Sequence, residues 1–306
     1  MIEIEIRHLG DREILHATPA GKREEPLPVI VFYHGFTSSK LVYSYFAVAL
    51  AQAGFRVVMP DAPDHGARFT GNEQARLGQF WHILHGSLTE FAGLRDALYQ
   101  AGLVADNRLA VAGASMGGMA ALGIMTHHPE VKSVACLMGS GYFTSLAKTL
   151  FPPQALTEVE AALAEWEVTR ALPRLADRPL LLWHGDADDV VPPGETFRLQ
   201  QALQHDGLDG NLTCLWEAGV SPPHYANGAG RYGGLLPPAP LNAQDVDTLI
   251  FQFLEDLRVG TFAGDHHVYL FSTAEQHSCA FAHFAAVDQH NELAHHVKHV
   301  LFCHGG

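Results

Sequence analysis

The chain has 306 residues and a formal net charge of -14 at pH 7. That acidity, with no basic patch, argues against nucleic acid or an anionic membrane surface as a partner. The opening residues, MIEIEIRHLG, show neither the basic stretch nor the apolar run of a secretion signal. Cys136, Cys214, Cys279 and Cys303 are scattered without a C-x-x-C pair. They read as free thiols in a reducing compartment, so the expected location is the cytoplasm.

Taken in chain order, Met1 to Leu9 alternates apolar and charged residues, and Glu13 to Thr18 is placed to pair with it as a hairpin. Strands and helices then alternate: strand 28–34, helix 41–53, strand 56–60, helix about 73–100, strand 108–113, helix 116–127 and strand 132–138. After a long connection come strand 179–184, helix 194–205 and strand 211–216. The later strands are nearly continuous apolar runs, as parallel strands covered on both faces are. The pattern predicts an α/β fold with a mostly parallel, doubly wound sheet. Residues 1–221 are ample for one core. Residues 109–125 carry no charge, but glycines and a strand-to-helix break rule out a membrane span there.

Three motifs carry chemistry. Gly113-Ala114-Ser115-Met116-Gly117 sits between a predicted strand and a predicted helix. This is the G-x-S-x-G elbow, in which glycines permit a sharp turn that exposes the serine hydroxyl. The N–H of Met116 at the helix start then faces any anion formed there. Upstream, Val29-Ile-Val-Phe-Tyr-His34-Gly35-Phe36 is an apolar strand ending in His-Gly-Phe, where the backbone N–H of Phe36 would be the second oxyanion donor. Downstream, His184-Gly185-Asp186-Ala187-Asp188-Asp189-Val190-Val191-Pro192 resembles the H-G-x-x-D-x-x-V-P signature of the triad acid. On that register Asp188 is the acid, and Asp186 and Asp189 are turn residues; a shift of one position would make it Asp189. The order serine, acid, then histidine belongs to the α/β-hydrolase fold.

The resemblance extends beyond motifs. FYHGFTSSKLVYSYFAVALAQAG (32–54), MPDAPDHGAR (59–68), GASMGGM (113–119), MGSGYFTSLAKTLFPP (138–153) and LLWHGDADDVVP (181–192) are similar to small bacterial α/β-hydrolase esterases of the YjfP type. These stand within the dienelactone-hydrolase-like and serine-aminopeptidase-like group. Where dienelactone hydrolases proper carry a cysteine nucleophile, this chain has Ser115. The resemblance implies an α/β-hydrolase domain with a short helical cap insertion over about 139–178. Tyr142 and Phe143 in that insertion either line an acyl pocket or pack the cap against the body. His34 and His184 read as holders of loop geometry; His65, after a strand on the active-site side, either bonds to its own loop or touches substrate.

The end of the chain departs from this pattern. A histidine and a closing helix are expected after strand 211–216, yet Ser221-Pro222-Pro223-His224 opens a Gly- and Pro-rich stretch with no helical period. Half of the 20 histidines lie beyond residue 221. Allowed codons for Ser221 to Leu241, read with one base fewer after the serine, spell SHRITPTALDATVAFFRQHL and then a stop. That is a histidine, a Thr-Pro helix start, an amphipathic helix and an end. Residues 222–306 therefore read as a frameshift product, and the spacing of His295, His296 and His299 as an accident of that frame rather than a metal site. In the chain as written, His224 is the best-placed base.

The expected activity is hydrolysis of a small, short-acyl ester by Ser115, Asp188 and a histidine, with no metal or organic cofactor. Two alternatives stand beside it: a scaffold whose catalytic histidine is lost, and a peptidase or amidase of the same fold. The physiological substrate and the oligomeric state are not written in the sequence.

Overall fold

The computed structural model describes residues 1–217. The readings made for His224, for His295, His296 and His299, and for the shifted frame lie outside the described residues. Among the described residues, eight strands form one sheet in the order β1-β2-β4-β3-β5-β6-β7-β8. The strands are β1 (Ile2–Leu9), β2 (Arg12–Pro19), β3 (Leu27–Tyr33), β4 (Arg56–Pro60), β5 (Val104–Ala114), β6 (Val131–Leu137), β7 (Leu180–Gly185) and β8 (Leu212–Glu217). β1 pairs antiparallel with β2, and β2 with β4. All other pairings are parallel. The C-terminal ends of β3 to β8 therefore line up along one edge.

The helices follow from their apolar spacing and caps. They are α1 (Ser44–Gln52), α2 (Glu73–Leu77), α3 (Phe80–Gln100), α4 (Met116–His127), α5 (Phe143–Leu146), α6 (Leu156–Leu163), α7 (Leu172–Ala176) and α8 (Gly194–His205). α3 buries Phe80, Leu84, Leu88, Phe91, Leu94 and Leu98 at helical intervals. The single helix expected over 73–100 is two. Asn72 caps α2 by accepting from Ala75 N–H, and Gly78 ends it after little more than one turn. The break lets Phe80 and Trp81 turn into the core, where both are buried.

The uncharged stretch 109–125 forms the centre of the molecule. Every residue of α4 from Met116 to Thr126 is buried. A helix apolar all round belongs in an interior with neighbours on every side. Among the described residues, no helix is long and apolar enough to cross a membrane. β5 starts earlier than expected and is irregular at Asp106 and Asn107, at φ 51 and 56. There the pairing steps from Leu27↔Val104 to Val29↔Leu109, so β5 bulges against β3. Beyond the bulge, β5 runs in register with β3 from Leu109 to Gly113, two residues before Ser115.

The hairpin is anchored by one buried cation. Arg56 is fully buried on β4. Its guanidinium donates to the carbonyl oxygens of Arg23 (2.9 Å) and Glu25 (2.5 Å) and to Nε2 of His16. Burial of such a charge is tolerated because these acceptors replace water.

Candidate active site

β5 delivers Ser115 at φ 55 and ψ -120, a conformation L residues rarely adopt. The strain is held from both sides. Ser115 N–H donates to Leu137 O at 2.7 Å, the last residue of β6, and Ser115 O accepts from Met119 N–H at 3.0 Å, inside α4. A Cβ on Gly113 would lie 2.4 Å from Gly117, so only glycine lets the strand fold back onto the helix so sharply. Met116 opens α4, and its N–H belongs to the first turn, where amides have no intrahelical acceptor.

β3 brings the His-Gly-Phe turn alongside. A Cβ on Gly35 would stand 3.6 Å from Cβ of Ser115, so the residue before Phe36 flanks the serine. The Phe36 ring is buried against Phe80 (4.9 Å between centroids), Phe151 (5.1 Å) and His65 (5.3 Å). The turn is also tied to the loop after β4. Lys40 N–H donates to Asp61 Oδ1 at 2.8 Å, and the buried Lys40 ammonium pairs with Asp61 Oδ2. Ala67 N–H donates to the same carboxylate at 2.9 Å.

On β7 and its turn the three aspartates are not equivalent. Asp188 is buried, and its Oδ1 accepts from the N–H groups of Val190 (2.9 Å) and Val191 (3.0 Å). Asp186 and Asp189 are exposed. Two amides on one oxygen fix the rotamer of Asp188 and hold the carboxylate at the sheet edge. β6 lies between β5 and β7, so Ser115 and the Asp188 turn are separated by about 10 Å, two strand spacings. A carboxylate and a hydroxyl at that separation need a third group to connect them.

The described histidines at this edge have both ring nitrogens engaged, and His184 Nε2 also lies 3.3 Å from Asp188 Oδ2. His184 has Nδ1 on Thr196 Oγ1 (2.7 Å) and Nε2 on Val191 O (2.8 Å). His34 has Nδ1 on Gly35 O (2.7 Å) and Nε2 accepting from Ala62 N–H (3.0 Å). His65 has Nδ1 on Pro63 O (2.8 Å) and Nε2 accepting from Thr37 N–H (2.8 Å). β8 runs parallel to β7, so Glu217 reaches the edge that carries Ser115 and Asp188.

The insertion divides its two aromatics. Tyr142 is half-buried, and the Arg198 guanidinium stands 3.8 Å from its ring centroid. Phe143 does not line an open pocket. It is fully buried, with its ring beside Gly123 of α4, and so packs the insertion onto the body. The residues that flank Phe36 instead are Phe80 and Phe151, whose rings stack at 5.0 Å. Phe151 sits in the Leu-Phe-Pro-Pro stretch, and its φ of 44 marks it as constrained. No sequence signal pairs it with a phenylalanine 115 positions earlier. Among the described residues, no group of three or more His, Cys, Asp or Glu is gathered as metal ligands.

A mostly parallel sheet with a strand–turn–helix elbow at its C-terminal edge defines an α/β-hydrolase. The model of the prolyl oligopeptidase family matches residues 42–219, which include both the elbow and the acidic turn. The chain belongs to that family. It is 59% identical over 229 residues to the esterase YjfP of Escherichia coli (strain K12), an alignment covering 72% of this chain and 92% of that protein. It is 27% identical over 204 residues to a thermostable monoacylglycerol lipase of Bacillus sp. (strain H-257), covering 57% of this chain and 76% of the lipase. Among solved structures, TT1662 from Thermus thermophilus superposes with a TM-score of 0.64 at 20% identity, over 85% of this chain and all of that one.

Proposed function

We propose that the protein is a serine carboxylesterase acting on small, short-acyl esters. Ser115 Oγ attacks the ester carbonyl while an imidazole takes its proton. The N–H groups of Phe36 and Met116 hold the oxyanion, and Asp188 orients the imidazole and stabilises its charged form. The imidazolium returns the proton to the leaving alkoxide, and water then releases the acyl group from Ser115. The observation that carries the reading is the constrained Ser115 elbow, two strand positions from a buried, amide-held Asp188. The similarity to an esterase at 59% identity supports the ester as substrate. Ser115→Ala is expected to lower ester turnover by about 10³-fold or more. Equal hydrolysis by both proteins would overturn the reading.

The imidazole comes from beyond Glu217, since His34, His65 and His184 each have both ring nitrogens engaged. In the chain as written that is His224, the first histidine after β8. We infer that residues 222–306 are the shifted frame described above. The alignment covering 92% of the esterase but 72% of this chain supports this. Resequencing the gene across the Ser221 codon tests it, together with expression of the gene lacking one base there. The shorter product is expected to be the more active. A strongly active 306-residue chain silenced by His224→Ala would make His224 the base and the tail genuine.

The family's peptidase members favour one other reading, an amidase or peptidase. Matched ester and anilide substrates separate the two. Preferential anilide cleavage would replace the esterase assignment, and inert Ser115 toward both would leave a binding scaffold.

A further inference from the structure

Two histidines from different loops exchange equivalent hydrogen bonds. His34, just after β3, accepts from Ala62 N–H in the loop after β4 at 3.0 Å. His65, in that second loop, accepts from Thr37 N–H in the first at 2.8 Å. Each ring uses Nε2 for the other loop and Nδ1 for a carbonyl of its own, Gly35 O and Pro63 O. The two rings lie 5.2 Å apart, and both are buried. An acceptor facing an N–H and a donor facing a C=O allow only the neutral Nδ1–H tautomer in both. Burial agrees, pushing His65 down to about 4 and lowering His34 as well.

The bond from Thr37 falls at a sensitive place. Thr37 has φ 60, and Asp64, beside His65, has φ 54. Non-glycine residues hold such angles only where their surroundings over-determine them. Thr37 immediately follows Phe36, and a rotation at Thr37 swings the peptide that carries the Phe36 carbonyl. The Phe36 ring itself rests on the His65 ring, 5.3 Å between centroids. The His65 ring therefore braces both the backbone and the side chain of the oxyanion turn, from a loop 28 residues downstream of Thr37.

We propose that His65 is a positioning residue for the reaction: by accepting from Thr37 N–H it holds the oxyanion turn so that the Phe36 amide aims at the substrate oxygen. His34 holds the partner loop in return. The proposal rests on the assignment of Phe36 as an oxyanion donor. It concerns orientation, since the contacts of His65 are with Thr37, Pro63, His34 and Phe36.

Two measurements test it, the first on the full chain and the second on the full chain and on the product of the gene lacking one base after the Ser221 codon. The first is independent of turnover. Histidine ¹⁵N spectra are expected to show His65 protonated at Nδ1 only, and amide exchange at Thr37 to be slow in the wild type and much faster in His65→Ala. An Nε2-protonated His65, or a Thr37 amide that exchanges quickly in the wild type, overturns the clamp. The second reads the chemistry. His65→Ala is expected to lower kcat for a short-acyl ester by roughly 10–100-fold with KM within about 3-fold, since the lost interaction matters in the transition state. His65→Gln, which places an acceptor near Nε2, is expected to restore most of kcat. An unchanged kcat in His65→Ala, or a loss confined to KM, overturns the positioning role. Ester turnover that survives Ser115→Ala sinks the esterase reading instead, while the exchange measurement still decides the clamp.

Discussion

A Cβ placed on Gly117 would lie 2.1 Å from the carbonyl oxygen of Tyr33. The first turn of α4 is thus pressed against the end of β3, and the elbow meets the His34-Gly35-Phe36 turn backbone to backbone. His34 O would be 2.7 Å from the same Cβ, so no side-chain adjustment relieves the clash. Gly117→Ala is expected to push α4 off the sheet, cost about 3 kcal/mol and abolish ester hydrolysis. Gly93, exposed on α3 with nothing within 4 Å of its Cβ, is the control. Gly93→Ala is expected to add about 0.5–1 kcal/mol. Urea unfolding of the two variants checks both signs.

Asp188 differs from its neighbours in burial and in its two amide donors. On the proposed mechanism, Asp188→Asn keeps the shape of the side chain but favours the wrong histidine tautomer. We expect kcat to fall by about 10³–10⁴-fold with unfolding little changed. Asp186→Asn and Asp189→Asn are expected to stay within about 3-fold of the wild type. If Asp189→Asn were the damaging change, the acid would be one residue further along.

Stability should fall as the solution is acidified below neutrality. Burial lowers His16 and His65 from 6.5 to about 4. His16 faces Glu5, Arg7 and Arg56, and His65 faces His34, Asp64 and Arg76. Between the two values the unfolded chain binds more protons than the folded one. Stability contributed by the neutral rings is thus complete above about pH 6.5 and lost as pH falls toward 4. Each ring contributes up to about 3 kcal/mol to that slope. Urea unfolding at pH 7 and pH 5 is expected to differ by several kcal/mol, and His65→Gln to flatten the dependence. A pH-independent midpoint would contradict the burial of these rings as neutral species.

Cys136 lies beneath the elbow, its Sγ 2.9 Å from where a Cβ on Gly118 would be. Burial pushes its thiol up to about 12, and Cys214 up to about 11. A thiol without thiolate character in a closed site does not react. Iodoacetamide on the native protein, read by peptide mapping, is expected to leave Cys136 unmodified until denaturant is added. Rapid native labelling would show that the space under the elbow opens.

The parallel core and its elbow were legible because their causes are local. Val29 to Tyr33 and Leu109 to Ala114 are apolar runs long enough for buried strands, and Gly113 and Gly117 stand where a turn of four residues needs them. The break at Gly78 was not legible, because an uninterrupted helical period crosses it and only the demand to bury Phe80 and Trp81 favours two helices. Phe143 was ambiguous for the same reason: its neighbours in sequence do not reveal that Gly123 leaves room for its ring.

By itself the sequence determined the strand and helix periods, the serine between its glycines and an acidic turn after an apolar strand. Each of these depends on backbone sterics or apolar spacing within a dozen residues. Tertiary structure alone decided which aspartate is buried and held by amides, that Phe80 and Phe151 wall the Phe36 turn, and that His65 accepts from Thr37. Those outcomes depend on where separate loops meet at the sheet edge. A hydrogen bond or ring contact between residues far apart in the chain exists only after the strands that carry them have paired.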